Sequence, residues 1–119
     1  MNFLKSFVSF ILLSSCFENV SFTEEDALKA KASGSIILDV RSAGEYQKKH
    51  IKGSTWIPIN ELEERSGELD KTKTVVVYCA IGGRSKKAVS ILKKKNFNNI
   101  KDIKSIDNWP IKSDFIKGE

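Results

Sequence analysis

Two short apolar runs set the rhythm of the chain. Ile36-Ile37-Leu38-Asp39-Val40 and Thr74-Val75-Val76-Val77-Tyr78 are nearly continuous and rich in β-branched residues, the pattern of strands covered on both faces. Around them, apolar positions fall at helical spacing. Thr23 followed by Glu24, Glu25 and Asp26 predicts a helix start, with Ala27, Leu28 and Ala30 as its apolar stripe and Gly34 as its stop. Ser42 with Glu45, and Asn60 with Glu63, form capping-box pairs that predict helices over 43–49 and 61–66. Ala88, Val89, Ile91 and Leu92 predict a longer helix after the second strand. Residues 99–103 read as a last strand, and Trp109-Pro110 closes the unit. Strands alternating with helices predict an α/β fold, a central and mostly parallel sheet with helices on both faces.

The N-terminus follows another pattern. Met1-Asn2-Phe3-Leu4-Lys5 leads into an apolar run from Phe7 to Leu13, then Ser14-Ser15-Cys16. A positive start, a brief hydrophobic stretch and small residues describe a secretory signal. The run is too short to span a membrane, which takes about 20 apolar residues. Leu13-Ser14-Ser15-Cys16 also resembles the lipobox of bacterial lipoproteins. That resemblance implies a signal over 1–15 and Cys16 as the lipidated first residue of the mature protein. An ordinary cut near Ser15, or a buried helix that stays on, is the alternative. The expectation is an exported, monomeric domain over 23–115 in the bacterial cell envelope, anchored to a membrane surface through acyl chains on Cys16.

With 119 residues, 40% hydrophobic and 29% charged, the chain has room for one small core and none of the bias of disordered, collagenous or multi-span proteins. The net charge of +5 is uneven: from Lys71 to Lys104 there are ten basic residues and only Asp102 against them. Lys93, Lys94 and Lys95 read as a solvated helix face. No aromatic residues interleave with the lysines, so nucleic acid is not expected as a partner.

Cysteine usage narrows the chemistry. Cys16 and Cys79 are the only two, and removal or lipidation of Cys16 leaves Cys79 alone, a candidate reactive thiol in an exported protein. Cys79 ends the valine-rich strand, and Cys79-Ala80-Ile81-Gly82-Gly83-Arg84-Ser85 leads straight into a helix. Ligands of open α/β sheets bind beyond the carboxyl ends of the strands. A helix start offers unpaired N–H groups and a positive dipole end, glycines let the loop curl as an anion-binding nest, and Arg84 adds positive charge. These features favour an ionised, nucleophilic sulfur. The plain alternative is a small buried side chain above an ordinary strand-to-helix turn.

Cys79-x-x-Gly82-x-Arg84-Ser85 resembles the active-site loop of rhodanese domains. Asp39-Val40-Arg41, Glu45-Tyr46 and His50-Ile51-Lys52-Gly53-Ser54, followed by Ile57-Pro58, look like the family's further signatures in the right order. The resemblance covers roughly Thr23 to Trp109. It implies a rhodanese-like fold and a thiosulfate sulfurtransferase. Cys79 would take sulfur from thiosulfate or a similar anionic donor, hold it as a persulfide and pass it to cyanide or a thiol. It also implies anion binding by the loop from Ala80 to Ser85, structural support from Asp39, Arg41, Glu45 and His50, and no cofactor. One histidine and one free cysteine cannot complete a metal site. The family's Gly-Gly pair near the end is replaced by Lys104-Ser105, which leaves pocket shape open.

Two rivals stand beside this reading. Phosphatases and arsenate reductases of the related cell-cycle phosphatase group place five residues between cysteine and arginine, where this chain has four. A sulfur carrier or redox-sensing module would use the same cysteine without rapid turnover.

Overall fold

The structure is a computed structural model, and it describes residues 21–118. The expected signal segment and Cys16 lie outside the described residues. Thr23 caps helix α1 (Glu24–Ser33): its hydroxyl accepts from the Asp26 N–H, while the Asp26 carboxylate accepts from the Thr23 N–H. Gly34, at φ +76°, ends the helix in the left-handed conformation that suits glycine. Then follow β1 (Ile36–Asp39), α2 (Ala43–Lys48), β2 (His50–Ile51), β3 (Thr55–Trp56), α3 (Ile59–Arg65), β4 (Val75–Cys79), α4 (Gly83–Lys94), β5 (Ile100–Ser105) and β6 (Phe115–Ile116), with single 3-10 turns between several of them.

Four parallel strands form the central sheet in the order β3-β1-β4-β5, and β2 pairs antiparallel with β6 apart from it. The expected α/β architecture is present. Strand alternation divides the core in two. Leu38, Val75, Val77 and Cys79 face one side and pack with Leu62 of α3 and Ala88 and Leu92 of α4. Ile37, Val76 and Tyr78 face the other and pack with Ala27 and Ala30 of α1 and with Ile106 and Trp109. Asp114 fastens the end of the chain to this second layer, accepting from Trp109 Nε1 at 3.0 Å and from Lys31 Nζ at 2.9 Å.

Three features differ from the pattern-based expectation. Helix α3 starts at Ile59 on Pro58, with no side-chain cap, so the Asn60–Glu63 pair does not open it. Ile57 N–H and Ile59 N–H donate to Asp39 O and Val40 O, and this pairing with the β1 segment fixes where the helix can begin. Strand β5 runs on to Ser105 through a bulge, with Val77 opposite Asp102 and Tyr78 opposite Lys104, which turns Ile103 into the core. The three two-residue strands β2, β3 and β6 carry no pattern of their own.

Candidate active site

Strand β4 delivers Cys79 beneath the N-terminus of α4, because its alternation points Val75, Val77 and Cys79 at the same layer. Only 1% of the residue is exposed. The loop then folds back over the sulfur. Gly82 sits at φ +136°, a conformation that side chains other than hydrogen rarely adopt, and is the N-cap residue of α4. Gly82 can offer no side chain to the first turn, and Cys79 Sγ takes over that role. It accepts from the Gly82 N–H at 3.0 Å and from the Ser85 N–H at 3.3 Å. The sulfur therefore lies where a helix start holds an anion. Ser85, fully buried, locks the turn by donating its hydroxyl to Gly82 O at 3.1 Å.

The N–H groups of Ile81, Gly83 and Arg84 have no hydrogen-bond acceptor among the described residues. Ala80 forms the first bend of the loop, and Ile81 at its apex is 88% exposed. Gly83 has an ordinary φ and open space around the position of a Cβ, so of the two glycines expected to let the loop curl only Gly82 requires the absence of a side chain.

Arg84 turns to the α2 side of the loop. Its guanidinium donates two bonds to Glu45, at 2.6 and 2.9 Å. Glu45 in turn accepts from the Ser42 N–H and hydroxyl as part of the α2 capping box. The bonds from Arg84 hold the Glu45 carboxyl down at about 2 and push the Arg84 guanidinium further up. Arg84 therefore ties the loop to the framework.

Asp39 and Arg41 form a buried pair, Arg41 Nη2 lying 2.8 Å from Asp39 Oδ2. Arg41 also donates to Lys49 O, and its own carbonyl accepts from Trp56 Nε1. The Tyr78 hydroxyl donates to Asp39 at 2.6 Å and accepts from the Ile51 N–H at 3.2 Å. Burial, then the Asp39 charge, push the Tyr78 phenol well above its ordinary value. His50 is buried; its Nδ1 bonds Tyr46 O at 2.9 Å and its ring stacks on Tyr46 with centroids 3.7 Å apart. Both interactions are with α2, and neither engages Cys79.

Two residues near the site have no assigned role in the sequence reading. Tyr78 is one, although a hydroxyl inside a run of valines signals a buried partner. Lys86, in the first turns of α4, is the other. Lys104, which the resemblance marks as standing where the family has glycine, lies at φ +69°, a left-handed position. Its side-chain stem lies against Gly82, the Cβ position of which would be 3.5 Å from Lys104 Cβ.

Known proteins resemble this chain in sequence and fold. The model of the rhodanese-like domain matches residues 23–109. A putative sulfur carrier protein, YrkF of Bacillus subtilis, is 41% identical over 64 residues, 54% of this chain and 35% of that protein. The tRNA sulfurtransferase of Tolumonas auensis is 39% identical over 82 residues, 66% of this chain and 17% of that one. The thiosulfate sulfurtransferase PspE of Escherichia coli is 36% identical over 67 residues, 55% of this chain and 64% of PspE. The chain thus spans less than two thirds of each of these relatives. Among solved structures, a rhodanese with anions from E. coli superposes with a TM-score of 0.63 at 31% identity, covering 71% of this chain and 99% of that one. A rhodanese-related protein from Thermoplasma volcanium gives 0.64 at 34% identity, covering 75% and 88%. The parallel sheet, the loop over Cys79 and the family model over most of the chain agree: this protein belongs to the rhodanese-like domain family.

Proposed function

We propose that the chain is a sulfurtransferase that carries sulfur as a persulfide on Cys79. The Cys79 thiolate attacks the outer sulfur of thiosulfate or a similar anionic sulfane-sulfur donor. A new S–S bond forms, the donor's S–S bond breaks, and sulfite leaves with the electron pair. Cyanide or a thiol then takes the outer sulfur and returns Cys79 to the thiolate. The observation that carries the reading is the pair of N–H groups, from Gly82 and Ser85, aimed at Sγ under a helix start. The N–H groups of Ile81, Gly83 and Arg84, without acceptors among the described residues, are the donors available to the second, charged sulfur. A buried nucleophile under a short loop favours transfer of one sulfur atom over attack on a tetrahedral phosphate.

The test is thiocyanate formation from thiosulfate and cyanide, with Cys79→Ser as control. Turnover that survives Cys79→Ser rules the mechanism out. A second reading, a carrier that loads sulfur for a partner without rapid turnover, draws support from the resemblance to a putative sulfur carrier and from the burial of Cys79. Stable sulfur loading without thiocyanate would favour it.

The pattern of residues 1–16 supports export to the bacterial cell envelope and acylation of Cys16, which would place a monomeric domain over 23–115 at a membrane surface. The intact mass of the mature protein tests this: retention of residues 1–15 contradicts it.

A further inference from the structure

Beside the sulfur loop lies a pocket of about 450 Å3 lined by Ile81, Gly82, Lys86, Asp102 and Lys104. Its volume suits a ligand of amino-acid to tripeptide size. Its walls are chemically mixed. Lys86 and Lys104 bring two ammonium groups, neither in an ion pair among the described residues. Asp102 brings one carboxylate; its Oδ1 accepts the Lys104 N–H at 2.8 Å, which leaves Oδ2 without a partner among the described residues. Ile81 adds an exposed aliphatic wall.

The pocket is a built feature. The β5 bulge sets Lys104 opposite Tyr78, the Asp102 bond steadies its left-handed backbone, and its stem lies along Gly82. Gly82 is shared with the sulfur site, since its N–H donates to Cys79 Sγ. Gly82 is thus common to the pocket wall and to the cradle of the sulfur.

We infer that this pocket binds the sulfur acceptor, and that the acceptor is a zwitterionic amino-acid or peptide thiol. Its carboxylate meets Lys86 and Lys104, its ammonium meets Asp102, its methylene packs on Ile81, and its thiol reaches over the loop. The inference rests on the persulfide reading above. In the transfer step the acceptor thiol sulfur bonds to the outer sulfur of Cys79–S–S⁻ and the Cys79 Sγ–S bond breaks. Its electron pair stays on Sγ as the thiolate, and the thiol proton passes to the solution or to the product persulfide. Cys79–S–S⁻ and RSH thus give Cys79–S⁻ and RSSH, with no external oxidant or reductant.

The experiment loads the full chain with thiosulfate, removes excess donor, and measures single-turnover sulfur transfer to four thiols, normalised to thiolate concentration. Glutathione carries carboxylates and an ammonium, 3-mercaptopropionate a carboxylate only, cysteamine an ammonium only, and 2-mercaptoethanol neither. Glutathione is expected to react at least about tenfold faster than 2-mercaptoethanol. The double substitution Lys86→Gln and Lys104→Gln should slow glutathione and 3-mercaptopropionate about tenfold and leave 2-mercaptoethanol within about twofold. Asp102→Asn, which keeps an acceptor for the Lys104 N–H, should slow glutathione and cysteamine only. Equal rates for the four thiols, or equal slowing of all by the lysine substitutions, would overturn the inference while the persulfide reading stands. A chain that takes up no sulfur from thiosulfate overturns both.

Discussion

Arg84 of the sulfur loop and Glu45 of α2, 39 residues apart, meet through two hydrogen bonds of 2.6 and 2.9 Å. The fork of a guanidinium on a carboxylate fixes direction as well as distance, so the loop is oriented from outside by a helix that takes no part in holding the sulfur. Arg84→Lys keeps the charge and loses the fork. It should lower the rate of sulfur loading several-fold, and Glu45→Gln should do the same with Arg84 intact. Stopped-flow loading rates check this; two silent substitutions would detach Arg84 from loop positioning.

The same pair makes stability depend on pH in a defined window. Glu45 titrates at about 2 in the folded protein, against an ordinary value of 4.5, chiefly because of the Arg84 bonds. A carboxyl lowered on folding contributes stability above its unfolded value and loses it as pH falls through the folded one. The contribution is thus full at neutral pH and fades between about pH 4.5 and pH 2. About a third of each side chain is exposed, so solvent screening keeps it on the order of 1 kcal/mol. Urea unfolding across this window should show the wild type losing more stability than Glu45→Gln.

The two adjacent glycines should answer differently to alanine. Gly82 has φ +136°, so Gly82→Ala strains the backbone by about 1–3 kcal/mol and turns aside an N–H that Cys79 Sγ accepts. Gly83 has open space and an ordinary φ, and Gly83→Ala should be neutral or stabilising by about 0.4–1 kcal/mol. Thermal melts together with loading rates separate the two.

Asp39 is the hinge of the buried network, bonded to the Arg41 guanidinium and to the Tyr78 hydroxyl. Asp39→Asn leaves the Arg41 charge buried without its partner and should cost about 3–5 kcal/mol. Tyr78→Phe leaves the Ile51 N–H without its acceptor and should cost about 1–3 kcal/mol. Chemical denaturation measures both. A loss below about 1 kcal/mol for Asp39→Asn would contradict the reading of this network as a support of the sheet.

What could be read in the sequence was what neighbours in the chain decide. The valines of β4, the Thr23 and Ser42 caps and the glycine stop of α1 are local preferences, and the structure keeps them. The loop from Cys79 to Ser85 is equally local, since strand, turn and helix follow without a break. What was hidden depends on partners far along the chain. Asn60 yielded to Pro58 at the start of α3 because the chain there pairs with β1. Strands of two residues exist only through their partners, as His50 opposite Ile116 does. Arg84 carried a legible charge, but only the folded chain shows that Glu45 receives it. The left-handed backbone of Lys104 is signalled only through the resemblance, which has glycine there; the β5 bulge beside it cannot be read from Asp102-Ile103-Lys104 themselves.

Sulfur uptake on Cys79 Sγ, cradled by the N–H groups of Gly82 and Ser85, is the step on which the proposed function stands. Intact mass before and after thiosulfate reads it out. A gain of about 32 Da, one sulfur, is expected, removed by cyanide and abolished by Cys79→Ser. No gain on the wild type, or an equal gain on Cys79→Ser, would contradict it.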